Sequence, residues 1–214
     1  KKIYKLKQKK KYSILMKRES EHPEYLNKLL EITKTKRPRE KIESIDFYTD
    51  GSDFKGKNKK GFGIWTCFNK QEYTFHGDGT PSCIANLLKL SDHQMDVFKD
   101  VSNPTMELLA AAYLFHFLHE EYDAKRIESF VVNIYYDYMG VEHWISGTWK
   151  RKKPYIAIIR EFAVKHMEAL KTAGFVIKFI WIKGHSGNRG NDGADAAAKG
   201  NSINDTLLLT DMFK

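Results

Sequence analysis

Cysteine is nearly absent from the chain, with only Cys67 and Cys83 among 214 residues. Two thiols this far apart do not make a disulfide framework, and their scarcity fits a reducing compartment. No run of about 18 apolar residues occurs, and no stretch resembles a signal peptide, so neither a membrane-spanning helix nor secretion is expected. A Gly-x-Gly-x-x-Gly turn after a strand is also missing, which removes a dinucleotide-binding function. There is no internal repeat. At this length a single domain with an extension buries roughly 70% of its unfolded surface, so no metal or disulfide is needed for folding.

Excess positive charge is missing from most of the chain. Residues 1–45 hold 15 Lys or Arg against 6 Asp or Glu, and residues 46–214 hold 21 of each. The whole net charge of +9 therefore sits in the first fifth. A basic arm beside a neutral body suits a polyanionic partner, although a solvated leader has the same composition. Residues 1–43 are expected to be a basic N-terminal extension and linker, with a short amphipathic helix around Tyr25 to Ile32 that Lys36-Arg37-Pro38-Arg39 ends. Residues 44–214 form the expected main domain, with an insertion at about 77–103 that carries weak helical periodicity. The chain begins without methionine, so a domain cut from a larger protein stays open.

Ile45 to Ser52, IDFYTDGS, alternates with period two and delivers Asp50 to a turn on Gly51 and Ser52. Phe62 to Phe68 and Glu72 to His76 read as a hairpin. Asn103 and Pro104 read as cap and first residue of a helix with a buried stripe of Met106, Leu109, Ala110, Tyr113, Leu114 and Phe117. Ile127 to Tyr136 is β-branched and aromatic almost throughout, which predicts a strand buried on both faces and ending on Asp137. Helices are expected over about 138–145 and 155–172, and a last strand over Phe175 to Ile182. The loop Gly184 to Gly193 then leads to a final alanine-rich helix holding Asp195. The order predicts a mixed α/β sheet.

Asp50 and Asp137 end strands that can lie side by side, and Glu107 and Asp195 are expected in the first turns of helices, so all four can meet in the crevice beyond the strand ends. Two like charges about 4 Å apart repel by roughly 4 kcal/mol at an effective dielectric of 20. Four carboxylates together therefore imply a divalent cation or strongly raised pKa values, and oxygen ligands favour Mg²⁺ or Mn²⁺. A pair of such ions can hold the attacking water and leaving oxygen of a phosphodiester.

Thr49-Asp50-Gly51-Ser52, Met106-Glu107-Leu108, Tyr136-Asp137-Tyr138 and Gly184-His185-Ser186-Gly187 with Asn191 and Asp195, in this order, resemble the type 1 ribonuclease H family over roughly residues 44–200. The resemblance implies a ribonuclease H-like fold, a five-stranded mixed sheet flanked by helices on both faces. It implies a metal-dependent endonuclease that hydrolyses the RNA strand of RNA/DNA hybrids by a two-metal-ion mechanism, with two Mg²⁺ ions or Mn²⁺. Asp50, Glu107, Asp137 and Asp195 become the metal ligands and His185 a mobile proton carrier. Asp192 competes for the fourth carboxylate but is read as a helix cap. Substrate contacts fall to the amides of Gly51 and Ser52, the side chain of Asn103, and Trp149 with Lys150, a basic and aromatic handle for the DNA strand. Where the family often has Asn-x-Arg or Asn-x-Gln before its glutamate, this chain has Asn103-Pro104-Thr105, and after Asp137 it has Tyr138 in place of the common Ser.

The expected partner is an RNA/DNA hybrid, the expected state a monomer unless the chain is part of a larger protein, and the expected location cytoplasmic or another intracellular compartment that contains nucleic acid. The alternatives kept are the ribonuclease H domain of a reverse transcriptase-type protein, a nuclease or resolvase acting on other nucleic-acid structures, and an idle fold that binds hybrids without cutting them.

Overall fold

The chain enters its sheet at β1 (Ser44–Phe54). The structure, a computed structural model, describes residues 43–54, 59–150, 152–201 and 206–214. The basic leader, the short helix expected near residues 25–32 and most of the linker lie outside the described residues. β1 alternates as its sequence requires: Gly51 lies against the backbone of the long helix α2 (Asn103–Asp123), and the ring of Tyr48 lies against Gly190 of α5 (Arg189–Ala198). Helices therefore cover both faces of β1.

β2 (Lys59–Phe68) and β3 (Gln71–Asp78) form the expected hairpin, turning on Asn69 and Lys70, both with positive φ. β4 (Val131–Tyr136) and β5 (Val176–Trp181) continue the sheet on the other side of β1 in parallel. The order is β5-β4-β1-β2-β3-β6, so the sheet has six strands where five were expected. The sixth, β6, is only Leu207–Leu208, paired in parallel with Tyr73 and Thr74. Two residues carry no readable alternation. Burial of Leu209 and Met212 just beyond holds them against the edge.

Other expectations also need correction. β1 does not turn at Gly51 and Ser52. It runs on to Phe54 because Gly51 pairs with Phe62 and Ser52 with Gly61. β4 begins four residues later than predicted and is fully buried on one face only, since α5 packs on β1, β2 and β3 but leaves the other face of β4 half-covered. Ser102, not Asn103, caps α2, and Glu107 lies in its second turn. The helix is also buried almost all round, with Leu108, Ala111, Ala112, Phe115 and Leu118 added to the predicted stripe and Tyr113 only half-buried.

α3 (Gly140–Ser146) and α4 (Pro154–Thr172) match their predicted spans closely. The insertion resolves into α1 (Pro81–Leu87) and a 3₁₀ turn (Asp92–Phe98). Its Ile84, Leu88, Phe98 and Val101 are buried in the main core, so it packs as structure.

Candidate metal centre

β1 and β4 stay paired only as far as Tyr48 and Tyr135. Two residues further along each strand stand Asp50 and Asp137, at matching levels where the strands part. This is the crevice that parallel topology opens at strand ends. α2 closes the third side. A Cβ on Gly51 would lie 2.6 Å from the backbone nitrogen of Glu107, so only glycine lets the helix approach this near.

Asp50, Glu107 and Asp137 each offer one carboxylate oxygen to a group whose members all lie within 4.8 Å of one another. Asp50 and Glu107 are only 6% and 4% exposed, so water does little to screen them. The amide of Gly51 donates to Oδ1 of Asp50 at 2.7 Å, which favours the carboxylate form but does not prevail. Burial first, then the Asp137 carboxylate, pushes the pKa of Asp50 up to about 7. The same two causes, with Asp50 third, push Glu107 up to about 10. Oε2 of Glu107 is buried with no hydrogen-bond partner, and such an atom costs about 1–3 kcal/mol. A protein-only environment thus leaves negative charge uncompensated and one oxygen orphaned. An all-oxygen donor set fits a hard divalent cation, which would correct both.

The fourth acid stands apart from this trio. Asp195 is in the second turn of α5, half-buried, and its charge adds to the upward push on Asp50. Oδ2 of Asp195 accepts from Nζ of Lys199 at 2.5 Å, one helical turn on. The cap of α5 is Asn188, whose side chain accepts from the amides of Gly190 and Asn191; Asp192, expected as the cap, lies inside the first turn.

His185 is exposed, with a left-handed backbone (φ 51°), in the loop between β5 and α5. The residue before it explains its position. A Cβ on Gly184 would lie 2.4 Å from Oδ2 of Asp137, so glycine there lets the loop pass flush against the acids. The expected substrate contacts form two groups, with Gly51 and Ser52 beside Asn103, whose carbonyl oxygen would lie 2.8 Å from a Cβ on Gly51, and Trp149 with Lys150 after α3. The Gly51 amide is already engaged by Asp50, Ser52 is buried, and Oδ1 of Asn103 is buried without a partner. Trp149 is exposed and stacks on His143, with ring centroids 4.9 Å apart, and Lys150 beside it is exposed.

Two residues near the centre escaped the sequence reading. Lys199 had a usable signal, its i,i+4 spacing from Asp195. Trp181 had none. Its indole N–H donates to the carbonyl of Asp137 at 2.9 Å, a contact that depends on how β5 sits beside the end of β4.

The RNase H family model matches residues 42–203. A ribonuclease H of Aeromonas hydrophila is 26% identical over 163 residues, covering 74% of this chain and 89% of the relative. One from Aliivibrio salmonicida is 26% identical over 171 residues, covering 77% and 92%. Among solved structures, RNase H1 of Halobacterium salinarum is similar at a TM-score of 0.46 with 17% identity, over 73% of this chain and 95% of that one. LC11 RNase H1 in complex with an RNA/DNA hybrid is similar at a TM-score of 0.47 with 16% identity, over 73% and 97%.

Proposed function

This chain belongs to the RNase H family, and from that premise we propose that it is a divalent-metal-dependent endonuclease hydrolysing the RNA strand of RNA/DNA hybrids. The observation that carries this is the meeting of Asp50, Glu107 and Asp137 within 4.8 Å at the mouth of the sheet. Those three, with Asp195 beside Asp50, would hold two Mg²⁺ ions, or Mn²⁺ in their place. Held by these acids, such ions would supply charge neutralisation at the phosphodiester and would acidify a bound water. All the proposed ligands come from one chain, so the site needs no second copy. No helix among the described residues is long and apolar enough to cross a membrane, and the proposed workplace is an intracellular compartment where hybrids form.

The remaining roles follow from position. His185, on an exposed loop pressed against Asp137 through Gly184, is suited to carry protons between solvent and the scissile phosphate. Trp181 ties the Asp137 backbone to the strand that leads into that loop, so the carboxylate and the histidine are held by one connection. Trp149 offers an aromatic face and Lys150 a cation to a nucleic-acid backbone. A hybrid would be selected through its groove shape and 2′-hydroxyls rather than its base edges.

The test is cleavage of matched labelled RNA/DNA, RNA/RNA and DNA/DNA duplexes with Mg²⁺ or with EDTA. Only the RNA strand of the hybrid should be cut, and only with Mg²⁺. Cutting of the DNA duplex, or turnover in EDTA, would overturn the assignment. Proton transfer by a positioned side chain is worth roughly 10²–10⁴ in rate. His185→Ala should therefore lower kcat by about 10²-fold or more with KM little changed and residual activity remaining, as read from steady-state kinetics on a hybrid. An unaltered kcat would make His185 a bystander.

A further inference from the structure

Nine residues beyond Glu107 along α2, about 13 Å of helix, a second group of metal-ligating side chains has no part in the hydrolytic centre. His116 and His119 lie at i and i+3 and share one face of α2. His166 faces them from α4. Nδ1 of His119 and Nδ1 of His166 are 2.8 Å apart. The His166 ring centroid lies 4.7 Å from that of His116 and 5.1 Å from that of His119. Phe162 closes one side, with its ring centroid 4.5 Å from His166 and 5.4 Å from His116.

We propose that His116, His119 and His166 form a second metal site, taking Zn²⁺ through their imidazole nitrogens, with the Glu120 carboxylate in reach as the fourth ligand.

Four observations support this site. His166 is only 6% exposed, with Nδ1 engaged by His119, and Nδ1 of His116 is buried with no hydrogen-bond partner, so one ring nitrogen of the cluster is held out of water with nothing to satisfy it. At two of the rings the neutral form that a ligand needs is favoured: burial, then neighbouring His116 and His119, lowers the pKa of His166 to about 4, and burial lowers that of His116 despite Glu120. Lys89 and Lys165 are the facing cations, and both act in the same direction.

The distances are also close to what the ion needs. Tetrahedral Zn²⁺ with Zn–N bonds of about 2.0–2.1 Å places ligand nitrogens roughly 3.3 Å apart. The His119–His166 pair need separate by only about half an ångström from its hydrogen-bonded spacing. His116 must swing its ring inward, because the acid trio is the one such group among the described residues whose donor atoms already lie within 4.8 Å. Glu120 Oε1 lies 3.8 Å from His116 Nδ1.

A further partner waits behind the ligands. Oδ2 of Asp123 is 3.7 Å from Nε2 of His119. When Nδ1 of His119 binds the ion, the ring proton resides on Nε2, and Asp123 would close from 3.7 Å to accept it, as carboxylates do behind histidine ligands to zinc. Nitrogen donors also separate this site from the oxygen-lined centre by ion type, since imidazole suits Zn²⁺ and carboxylates alone suit Mg²⁺.

The experiment is titration of the metal-stripped full chain with ZnCl₂, read by thermal melting and calorimetry, and with Co²⁺, read by visible absorption. The expected results are a one-to-one Zn²⁺ event, a rise in Tm, and the intense Co²⁺ bands of a tetrahedral site. His119→Ala, at a half-exposed position chosen to preserve folding, should weaken Zn²⁺ binding by about 100-fold or more, beyond the 10–100-fold cost typical of losing an outer-shell partner. Mg²⁺-dependent hybrid cleavage should be unchanged in that variant, while Asp50→Asn should keep the Zn²⁺ event. Zn²⁺ binding that survives His119→Ala, or that disappears in Asp50→Asn, would overturn the proposal, as would no Zn²⁺ event in the unaltered chain.

Discussion

Asp137→Asn is expected to abolish hybrid cleavage while leaving the protein folded. The Asp137 carboxylate is the charge that acts most strongly on both Asp50 and Glu107, and it is half-buried where those two are buried. Its backbone is anchored independently of its carboxylate, by the Trp181 N–H and by the register of β4, so an isosteric amide should not disturb the strand. What is lost is one negative ligand from a cluster of three. Charge stabilisation at a metal-assisted phosphodiester centre is worth several kcal/mol, and each 1.36 kcal/mol is tenfold in rate, so a fall of roughly 10³-fold or more follows. Single-turnover cleavage beside circular dichroism and a thermal melt separates chemistry from folding. A folded variant within tenfold of the unaltered rate would remove Asp137 from the centre.

Asp50→Asn should cost activity and raise stability, and the gain should depend on pH and on metal. A carboxyl whose folded pKa lies above its unfolded value contributes stability below the unfolded value that is lost as pH rises through the folded one. For Asp50 the window runs from 3.8 to about 7, and for Glu107 it extends from 4.5 to about 10. The metal-free protein is therefore penalised increasingly from pH 4 upward, and at pH 8 the Asp50 share is on the order of a few kcal/mol. The histidine cluster works in the opposite direction over its own window. The pKa of His166 falls from 6.5 to about 4, so stability from that group rises with pH between those values.

The two effects separate in the difference between Asp50→Asn and the unaltered chain, where the histidine contribution cancels. That difference in Tm, in EDTA, should be near zero at pH 4 and reach about 5–10 °C in favour of the variant at pH 8. Saturating Mg²⁺ should remove most of the gain, because the unaltered centre is then neutralised by the ion. A Tm difference that stays flat from pH 4 to pH 8 would show that Asp50 is not held against its charge.

Much of the acid centre was legible in the sequence because its parts are local. Asp50 and Asp137 each follow a β-branched and aromatic run, and a carboxylate at the end of such a run points to a sheet mouth wherever the sheet finally forms. Glu107 was readable from Pro104, which marks a helix start in any surroundings. The errors lie where pairing overrides local preference. Gly51 and Ser52 look like a turn but are held extended by Phe62 and Gly61 of β2. Asn188, four residues before the expected cap Asp192, takes the cap because its side chain meets two free amides.

The sequence by itself determined the mixed α/β class, the motif order, and which acids are candidates, since alternation, helix starts and spacing are properties of neighbouring residues. Only the tertiary structure decided that three of the acids meet within reach of one ion while Asp195 stands beside them on Lys199. It alone brought His166 against His116 and His119 from a helix some 47 residues further on. The reason is the same in both cases. Electrostatic cost and metal affinity depend on distances of a few ångströms and on burial, and both are set by how strands and helices pack, which no window of neighbouring residues contains.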